Sequence, residues 1–236
     1  MPSPEAKRII RMLNLINERF GADLTYDDLL KHNEECDLST WRKYWPDSLE
    51  MPKVLSDDEL TLSINRNQLF NFGESLSSKD DILEFYTKVC AWGAGSSAQQ
   101  VWRCIRPLRE PAAITKLEAV LLNQDLTNPV EFYQIFNNVE QSRIKYLGPA
   151  FFTKLMYFRL RNNAVADGGQ IPLILDKRIA DALGWRTTNN WSTPWYERYL
   201  EIMDEVEESV KSGLPRDFLE YLLFVRGRYV LGRLDA

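Results

Sequence analysis

Two helical patterns meet at a Gly-Pro break near the middle of the chain, and this arrangement constrains the fold more than any other stretch. A cap and a first-turn proline, Asn128 and Pro129, open the first pattern. Its apolar residues recur at helical spacing as far as Tyr146 and are Phe132, Ile135, Phe136 and Val139. After Gly148 and Pro149 the second pattern begins at once with Phe151, Phe152, Leu155, Met156 and Phe158. Together they predict a helix-hairpin-helix over about residues 129–162, whose second helix begins with N–H groups that can hold an anion.

An acidic residue stands at the head of a third helical pattern. Asp176 follows the apolar run 172–175 and precedes Lys177–Leu183. It suits a helix N-cap, and a carboxylate here could also orient or deprotonate a nucleophile. Lys154, one turn into the second hairpin helix, could be a nucleophile activated by desolvation, a phosphate contact or a solvated lysine. The residues alone leave these interpretations open.

The rest of the chain shows further amphipathic patterns, about nine or ten helical elements in all, without an internal repeat. We therefore expect an all-α fold. Residues 1–77 would form an N-terminal helical region that packs on a core formed by residues 78–236. Residues 56–59 carry a capping-box signature and predict a helix, although residues 60–64 alternate as in a strand.

The charges are distributed unevenly along the chain. The net charge is −5 and the isoelectric point is near 5.2. Residues 141–190, in contrast, carry eight Lys or Arg residues against three Asp residues, a formal charge of +5. Such a local basic face suits DNA phosphates, and an ordinary solvated helical surface would look the same.

Several classes of protein are disfavoured by composition. The three cysteines form no CxxC pair, which argues against a disulfide framework and an iron-sulfur cluster. His32 is the single histidine and lies in a polar stretch that we expect to be exposed, so a Ser-His-Asp triad is disfavoured. No apolar run reaches the roughly 20 residues of a membrane helix. We expect a soluble cytoplasmic protein without a metal ion or cofactor.

The hairpin stretch resembles the helix-hairpin-helix of the DNA glycosylases that include the 8-oxoguanine and endonuclease III enzymes. In that family a Leu-Pro-Gly-Val-Gly hairpin runs into a helix bearing Thr-Lys, and a catalytic Asp follows after a short apolar stretch. Here Thr153 and Lys154 follow the hairpin, and Asp176 lies 22 residues after Lys154. The chain departs from the family where Gly148 is followed by Pro149, an alanine and two phenylalanines.

This resemblance implies roles for individual residues. Asp176 would be the catalytic carboxylate, and Lys154 a nucleophile that could add AP lyase activity. Family members present a Gln and, four residues later, a Phe to the flipped base, and Glu220 and Phe224 keep this spacing. We place Phe158 in the same base pocket. The predicted DNA-binding residues are Arg143, Lys145, Gly148, Ala150, Phe151, Lys177 and Arg178.

The expected function is excision of a modified base from double-stranded DNA, with no obligatory protein partner. The chain also looks like small bacterial 8-oxoguanine-glycosylase-like proteins, among which are phage-defence enzymes that act on glucosylated hydroxymethylcytosine. An ionised Glu220 would only accept hydrogen bonds and would suit the N4 amino group of a cytosine, so we favour this base. The alternatives are a repair glycosylase for an oxidised purine and a non-catalytic DNA-binding module.

Overall fold

The computed structural model describes residues 1–138, 142–187, 189–211 and 213–234. These residues are mainly helical, which confirms the expected all-α fold. The α-helices are α1 (Pro4–Phe20), α2 (Tyr26–Lys31), α3 (Ser39–Tyr44), α4 (Lys53–Ser56), α5 (Arg66–Glu74), α6 (Lys79–Ala94), α7 (Ala98–Ile105), α8 (Ala113–Leu121), α9 (Pro129–Asn137), α10 (Pro149–Ala166), α11 (Lys177–Leu183), α12 (Thr193–Val210) and α13 (Arg216–Arg226). Two strands, β1 (Asn33–Asp37) and β2 (Thr61–Asn65), form one sheet. No helix among the described residues is long and apolar enough to cross a membrane.

The two-stranded sheet corrects the helix predicted at residues 56–59. β1 and β2 pair antiparallel, with Glu34 opposite Ile64. The alternation of residues 60–64 turns Ile64 into the core and leaves its neighbours nearer to solvent. The helix prediction was wrong because a capping signature describes only one turn, whereas the alternation fits a strand that has a partner.

The connection between the two hairpin helices is longer than predicted. α9 ends at Asn137, so the helix expected as far as Tyr146 was wrong beyond that point. Val139, a member of the predicted pattern, lies outside the described residues. Ile144 is buried to 1% exposure although it belongs to a non-helical connection. The apolar spacing therefore continued past the helix because the connection itself packs on the core.

α10 is the central helix of the fold, packed against α5, α6 and α9. It approaches α5 closely at Gly73, where a Cβ atom would lie 2.2 Å from the carbonyl oxygen of Phe158. α1 packs against α11, α12 and α13, so the beginning and end of the chain lie side by side. Buried residues of both predicted regions join one continuous apolar core. The division at residue 77 stays a prediction.

Candidate active site

The two carboxylate oxygens of Asp176 have different surroundings. Oδ1 accepts hydrogen bonds from the backbone N–H groups of Arg178, at 2.9 Å, and Ile179, at 3.2 Å. The predicted cap of α11 is therefore present. Oδ2 lies 3.9 Å from Nζ of Lys154, and the Asp176 side chain is 15% exposed. The cap therefore uses Oδ1, and Oδ2 is directed toward Lys154. The catalytic role of Asp176 stays a prediction.

Lys154 reaches Asp176 through the interior of the protein. Its side chain is 7% exposed, and its stem runs past Gly93, where a Cβ atom would lie 2.9 Å from Cδ of Lys154. Nζ donates a hydrogen bond to the carbonyl oxygen of Ala150 at 2.7 Å. The interpretation of Lys154 as a solvated lysine is therefore wrong. Its role as a nucleophile stays a prediction.

Glu220 has no exposed surface. The nearest cation is Arg66, whose Nη1 lies 3.9 Å from Oε2 of Glu220, too far for a hydrogen bond. Among the described residues, neither carboxyl oxygen has a hydrogen-bond partner. Burial raises the pKa of Glu220 to about 8, although Arg66 opposes this shift. The expectation of an ionised Glu220 was wrong: at neutral pH it is an acid that offers one donor and one acceptor.

Arg66 is a site residue that the sequence did not reveal. Its side chain is fully buried, and its Cζ lies 5.1 to 5.5 Å from the ring centroids of Trp92, Tyr157 and Tyr221. Nη1 donates a hydrogen bond to the Tyr157 hydroxyl at 3.2 Å, whereas Nε has no partner. No pattern marked this residue, because arginine is rarely buried and its enclosure depends on helices distant in sequence.

His32 lies beside Arg66 and is only 18% exposed, which corrects the expectation of an exposed histidine. Its ring centroid lies 5.7 Å from that of Trp92 and 5.4 Å from that of Tyr221. Burial and the nearby Arg66 lower the pKa of His32 to about 4, so the imidazole is neutral at neutral pH. Its Nδ1 and the indole N–H of Trp92 are buried and have no hydrogen-bond partner within the residues that the structure describes.

Phe224 lies between His32 and Arg178. Its ring centroid is 6.4 Å from that of His32, and the Arg178 guanidinium covers the ring with Cζ at 4.5 Å. Phe158, also predicted for the base pocket, is 1% exposed and packs against Trp92 at 5.1 Å. Phe158 therefore supports Trp92 from the core side, and stacking of a base on Phe224 stays a prediction.

Asp217 anchors α13, the helix that carries Glu220. Its Oδ2 accepts hydrogen bonds from Arg161 at 3.1 Å, Tyr26 at 3.1 Å and Tyr157 at 3.2 Å. Asp217 and Glu220 are both fully buried. One acid is thus held by three donors, and the other, three residues later, has none.

The predicted DNA-binding residues divide into exposed side chains and backbone donors. Arg143, Lys145, Lys177 and Arg178 are exposed. At the start of α10, the Phe151 N–H donates to the carbonyl oxygen of Gly148 at 3.0 Å, so it already has an acceptor within the protein. The contact of Phe151 with DNA stays a prediction. The N–H groups of Gly148 and Ala150 make no backbone hydrogen bond. These two donors remain available to a phosphate.

Tyr146 adds an exposed aromatic ring to this surface and was not predicted as a site residue. It has a positive φ of 71° and is 48% exposed. The Arg106 guanidinium lies over its ring with Cζ at 3.3 Å, and Lys145 Nζ lies 5.1 Å from it. An aromatic ring between two cations is suited to stacking on a nucleotide. The sequence pattern was interpreted as helix as far as Tyr146, so the exposed ring between the two hairpin helices was not recognised.

The residues around Glu220 form one connected set that we call the pocket group. It combines a carboxylate, a buried amine, a neutral acid, aromatic rings and several unpartnered polar atoms. Aromatic rings can stack on a flipped base, and the unpartnered atoms can bond to its edges. An open cleft of about 490 Å³ elsewhere contains none of these residues. The pocket group comprises His32, Arg66, Trp92, Lys154, Asp176, Glu220, Tyr221 and Phe224.

Comparison with known proteins gives one match. The family model described as "Putative 8-oxoguanine DNA glycosylase OGG-like protein" matches residues 27–224 of this chain. No curated protein and no solved structure matches the chain. The matched span contains the whole pocket group.

Proposed function

We propose that this chain, which belongs to the family of 8-oxoguanine DNA glycosylase OGG-like proteins, flips a modified base out of double-stranded DNA and hydrolyses its N-glycosidic bond. Membership of this family supports DNA glycosylase activity in general, with DNA as the substrate. The base that we favour is glucosylated hydroxymethylcytosine in phage DNA, and the product is an abasic site. The corresponding biological role is defence against phages that carry this base.

The observation that carries the proposal is the position of Asp176. Its Oδ1 is held by the cap of α11, and its Oδ2 faces Lys154 at the partly open end of the pocket group. Cleavage of an N-glycosidic bond builds positive charge on the sugar. A fixed carboxylate beside C1′ stabilises this charge, and it can also accept a proton from an attacking water.

Lys154 separates two forms of the reaction. An amine that attacks C1′ forms a Schiff base and allows strand cleavage, whereas water yields an intact abasic site. Nζ of Lys154 already donates to Ala150 and faces the Asp176 carboxylate. Both contacts suit a cationic ammonium, which is not a nucleophile. We therefore favour water, with Lys154 as the cation that positions Asp176.

The substrate is proposed from the polar atoms of the pocket group. A neutral Glu220 can accept from N4–H of a cytosine and donate to its N3, so the cytosine proposal no longer depends on an ionised carboxylate. In the described part of the chain, His32 Nδ1 and the Trp92 indole N–H have no hydrogen-bond partner. The indole N–H is a donor, and Nδ1 is an acceptor when the imidazole proton is on Nε2. Sugar hydroxyls both donate and accept, and such atoms beside aromatic rings suit the appended glucose.

An oxidised purine is the second candidate, and the family description favours it. The neutral Glu220 can also donate to O6 of a guanine and accept from its N1–H. In this respect Glu220 resembles the Gln that the chain lacks. Hydrogen-bond chemistry at Glu220 therefore does not distinguish the two bases, and the buried polar atoms of His32 and Trp92 become the distinguishing feature.

A panel of duplexes tests the proposal. Duplexes with glucosylated hydroxymethylcytosine, unglucosylated hydroxymethylcytosine, 8-oxoguanine or normal bases are incubated with the protein, and abasic sites are scored. We expect release of the glucosylated base, with Asp176→Asn as the inactive control. Release of 8-oxoguanine alone would establish the repair alternative. DNA binding without release of any base would favour the non-catalytic module.

A further inference from the structure

The inference concerns the departing base and rests on the proposed glycosylase function. Asp176 and Lys154 lie on the sugar side of the reaction and provide nothing for the negative charge that develops on the base. Glu220 is fully buried, and neither of its oxygens has a hydrogen-bond partner. Arg66 is equally buried, and its Nε is also unpartnered. Both residues hold unused polar atoms in the pocket group.

We infer that Glu220 protonates the departing base as a general acid, and that Arg66 stabilises the negative charge that develops on the base and then on Glu220. The bond from C1′ to the base nitrogen breaks, and its electron pair moves onto the base. The acidic proton of Glu220 moves to a ring nitrogen of the base, which leaves as a neutral molecule. Water adds to C1′, and its proton moves to Asp176 and then through solvent back to Glu220.

Geometry supports this direction of proton transfer. A carboxylate without hydrogen bonds is disfavoured in an apolar interior, so Glu220 carries a proton before the reaction. After the transfer it becomes a carboxylate 3.9 Å from Nη1 of Arg66. Arg66 cannot supply the proton itself, because a guanidinium remains protonated in proteins. The two residues thus divide the task into a proton donor and a fixed positive charge.

The titratable groups that face Glu220 come from each side of the pocket. Arg66 projects from α5, Lys154 and Tyr157 project from α10, and Asp176 precedes α11. Tyr196 and Tyr199 of α12 and Asp217 of α13 complete the surroundings. Burial raises the pKa of each of these tyrosines, so they stay neutral in the pH range of the reaction. Glu220 is therefore the acid of this set that can lose its proton near pH 8.

Single-turnover excision tests the inference with two versions of the substrate found in the duplex panel. One carries the natural base and the other an analogue whose ring bears an electron-withdrawing substituent, which makes it a better leaving group. We expect Glu220→Gln to slow release of the natural base at least about tenfold and of the analogue less than about threefold. The wild-type rate should fall above pH 8, and Glu220→Gln should lack this fall.

Matched variants separate chemistry from packing. Asp217→Asn changes the other buried acid of α13, and it should slow release of the natural base and of the analogue by the same factor. Glu220→Asp keeps an acid and should keep the fall in rate at high pH. Arg66→Lys keeps a charge and should retain more activity on the natural base than Arg66→Met.

Three outcomes would overturn the inference. If Glu220→Gln slows release of the natural base and of the analogue equally, Glu220 only binds the base. If Glu220→Gln does not fold, a wild-type excision rate that stays constant above pH 8 would exclude Glu220 as the general acid. Either result, with Asp176→Asn still inactive, would leave the glycosylase function standing. Absence of excision by the wild type from every duplex would overturn the proposed function, and this inference with it.

Discussion

Oδ2 of Asp176 lies 3.9 Å from Nζ of Lys154, while Oδ1 of the same carboxylate caps α11. One side chain therefore caps a helix and directs its second oxygen toward Lys154. The cap also makes the carboxylate rigid, because two backbone N–H groups determine its orientation.

The first prediction separates the two functions of Asp176. Asparagine retains a side-chain oxygen for the cap but loses the negative charge. We expect Asp176→Asn to unfold at nearly the wild-type temperature, bind DNA normally and release base about 100-fold more slowly or not at all. Thermal unfolding, binding and excision on one substrate measure these effects. Normal excision by the variant would limit Asp176 to capping.

The second prediction concerns strand cleavage. If Lys154 only positions Asp176, borohydride will trap no covalent DNA adduct. The DNA strand will then stay intact until the abasic site is cleaved with alkali. Lys154→Gln should then slow excision without changing the product. A borohydride adduct that the wild type forms and Lys154→Gln does not would identify Lys154 as the nucleophile and establish lyase activity.

The third prediction concerns the DNA-binding surface. Arg143 and Lys145 are exposed near the Gly148 and Ala150 N–H groups. Replacing either side chain with alanine should weaken binding to all duplexes similarly. The slope of binding against salt concentration should fall by an amount that corresponds to about one phosphate contact. Titrations at several salt concentrations measure this slope. Lys177→Ala is the comparison, because Lys177 already pairs with Asp181 at 2.6 Å and should matter less. A loss confined to one DNA sequence would contradict the assignment.

The fourth prediction concerns stability and pH. Folding raises the pKa of Glu220 from 4.5 to about 8, so between these values the folded state holds a proton that the unfolded state has released. The stability associated with this proton is complete below pH 4.5 and is lost as the pH rises to 8. Relative to the wild type, Glu220→Gln should therefore gain stability between pH 5 and pH 8.5.

We expect this gain to reach at least about 1 kcal/mol, or roughly 2–4 °C in Tm. Thermal unfolding of both proteins at the two pH values gives the difference. Asp217→Asn is the control and should be less stable at both, because its carboxylate accepts three hydrogen bonds. A difference between Glu220→Gln and the wild type that does not change with pH would contradict a protonated Glu220.

Local patterns predicted much of the fold and the centre of the site. The helical spacing indicated α10 and most of α9, and the position of Asp176 indicated the cap of α11. These features depend on a few consecutive residues, so the sequence carries them directly.

The remaining site residues depend on long-range packing. Arg66 follows β2, and its N–H donates to the carbonyl oxygen of His32 just before β1, so sheet pairing brings the two residues together. The protonation of Glu220 follows from its burial among elements that are distant in sequence, which a helical pattern in α13 cannot report. Tyr146 was missed because its connection was interpreted as helix.

The residues of the pocket group are spread from position 32 to position 224, so they come together only after most of the chain has been synthesised. During synthesis the hairpin, Lys154 and Asp176 leave the ribosome before α13 exists. Such an unfinished chain holds the Asp176 carboxylate, but it lacks both Glu220 and the Phe224 ring. A fragment of residues 78–236 contains Glu220 and Phe224 but lacks Arg66 and His32. The pocket group is therefore complete only after α13 has been synthesised, and neither piece of the chain contains all of its residues.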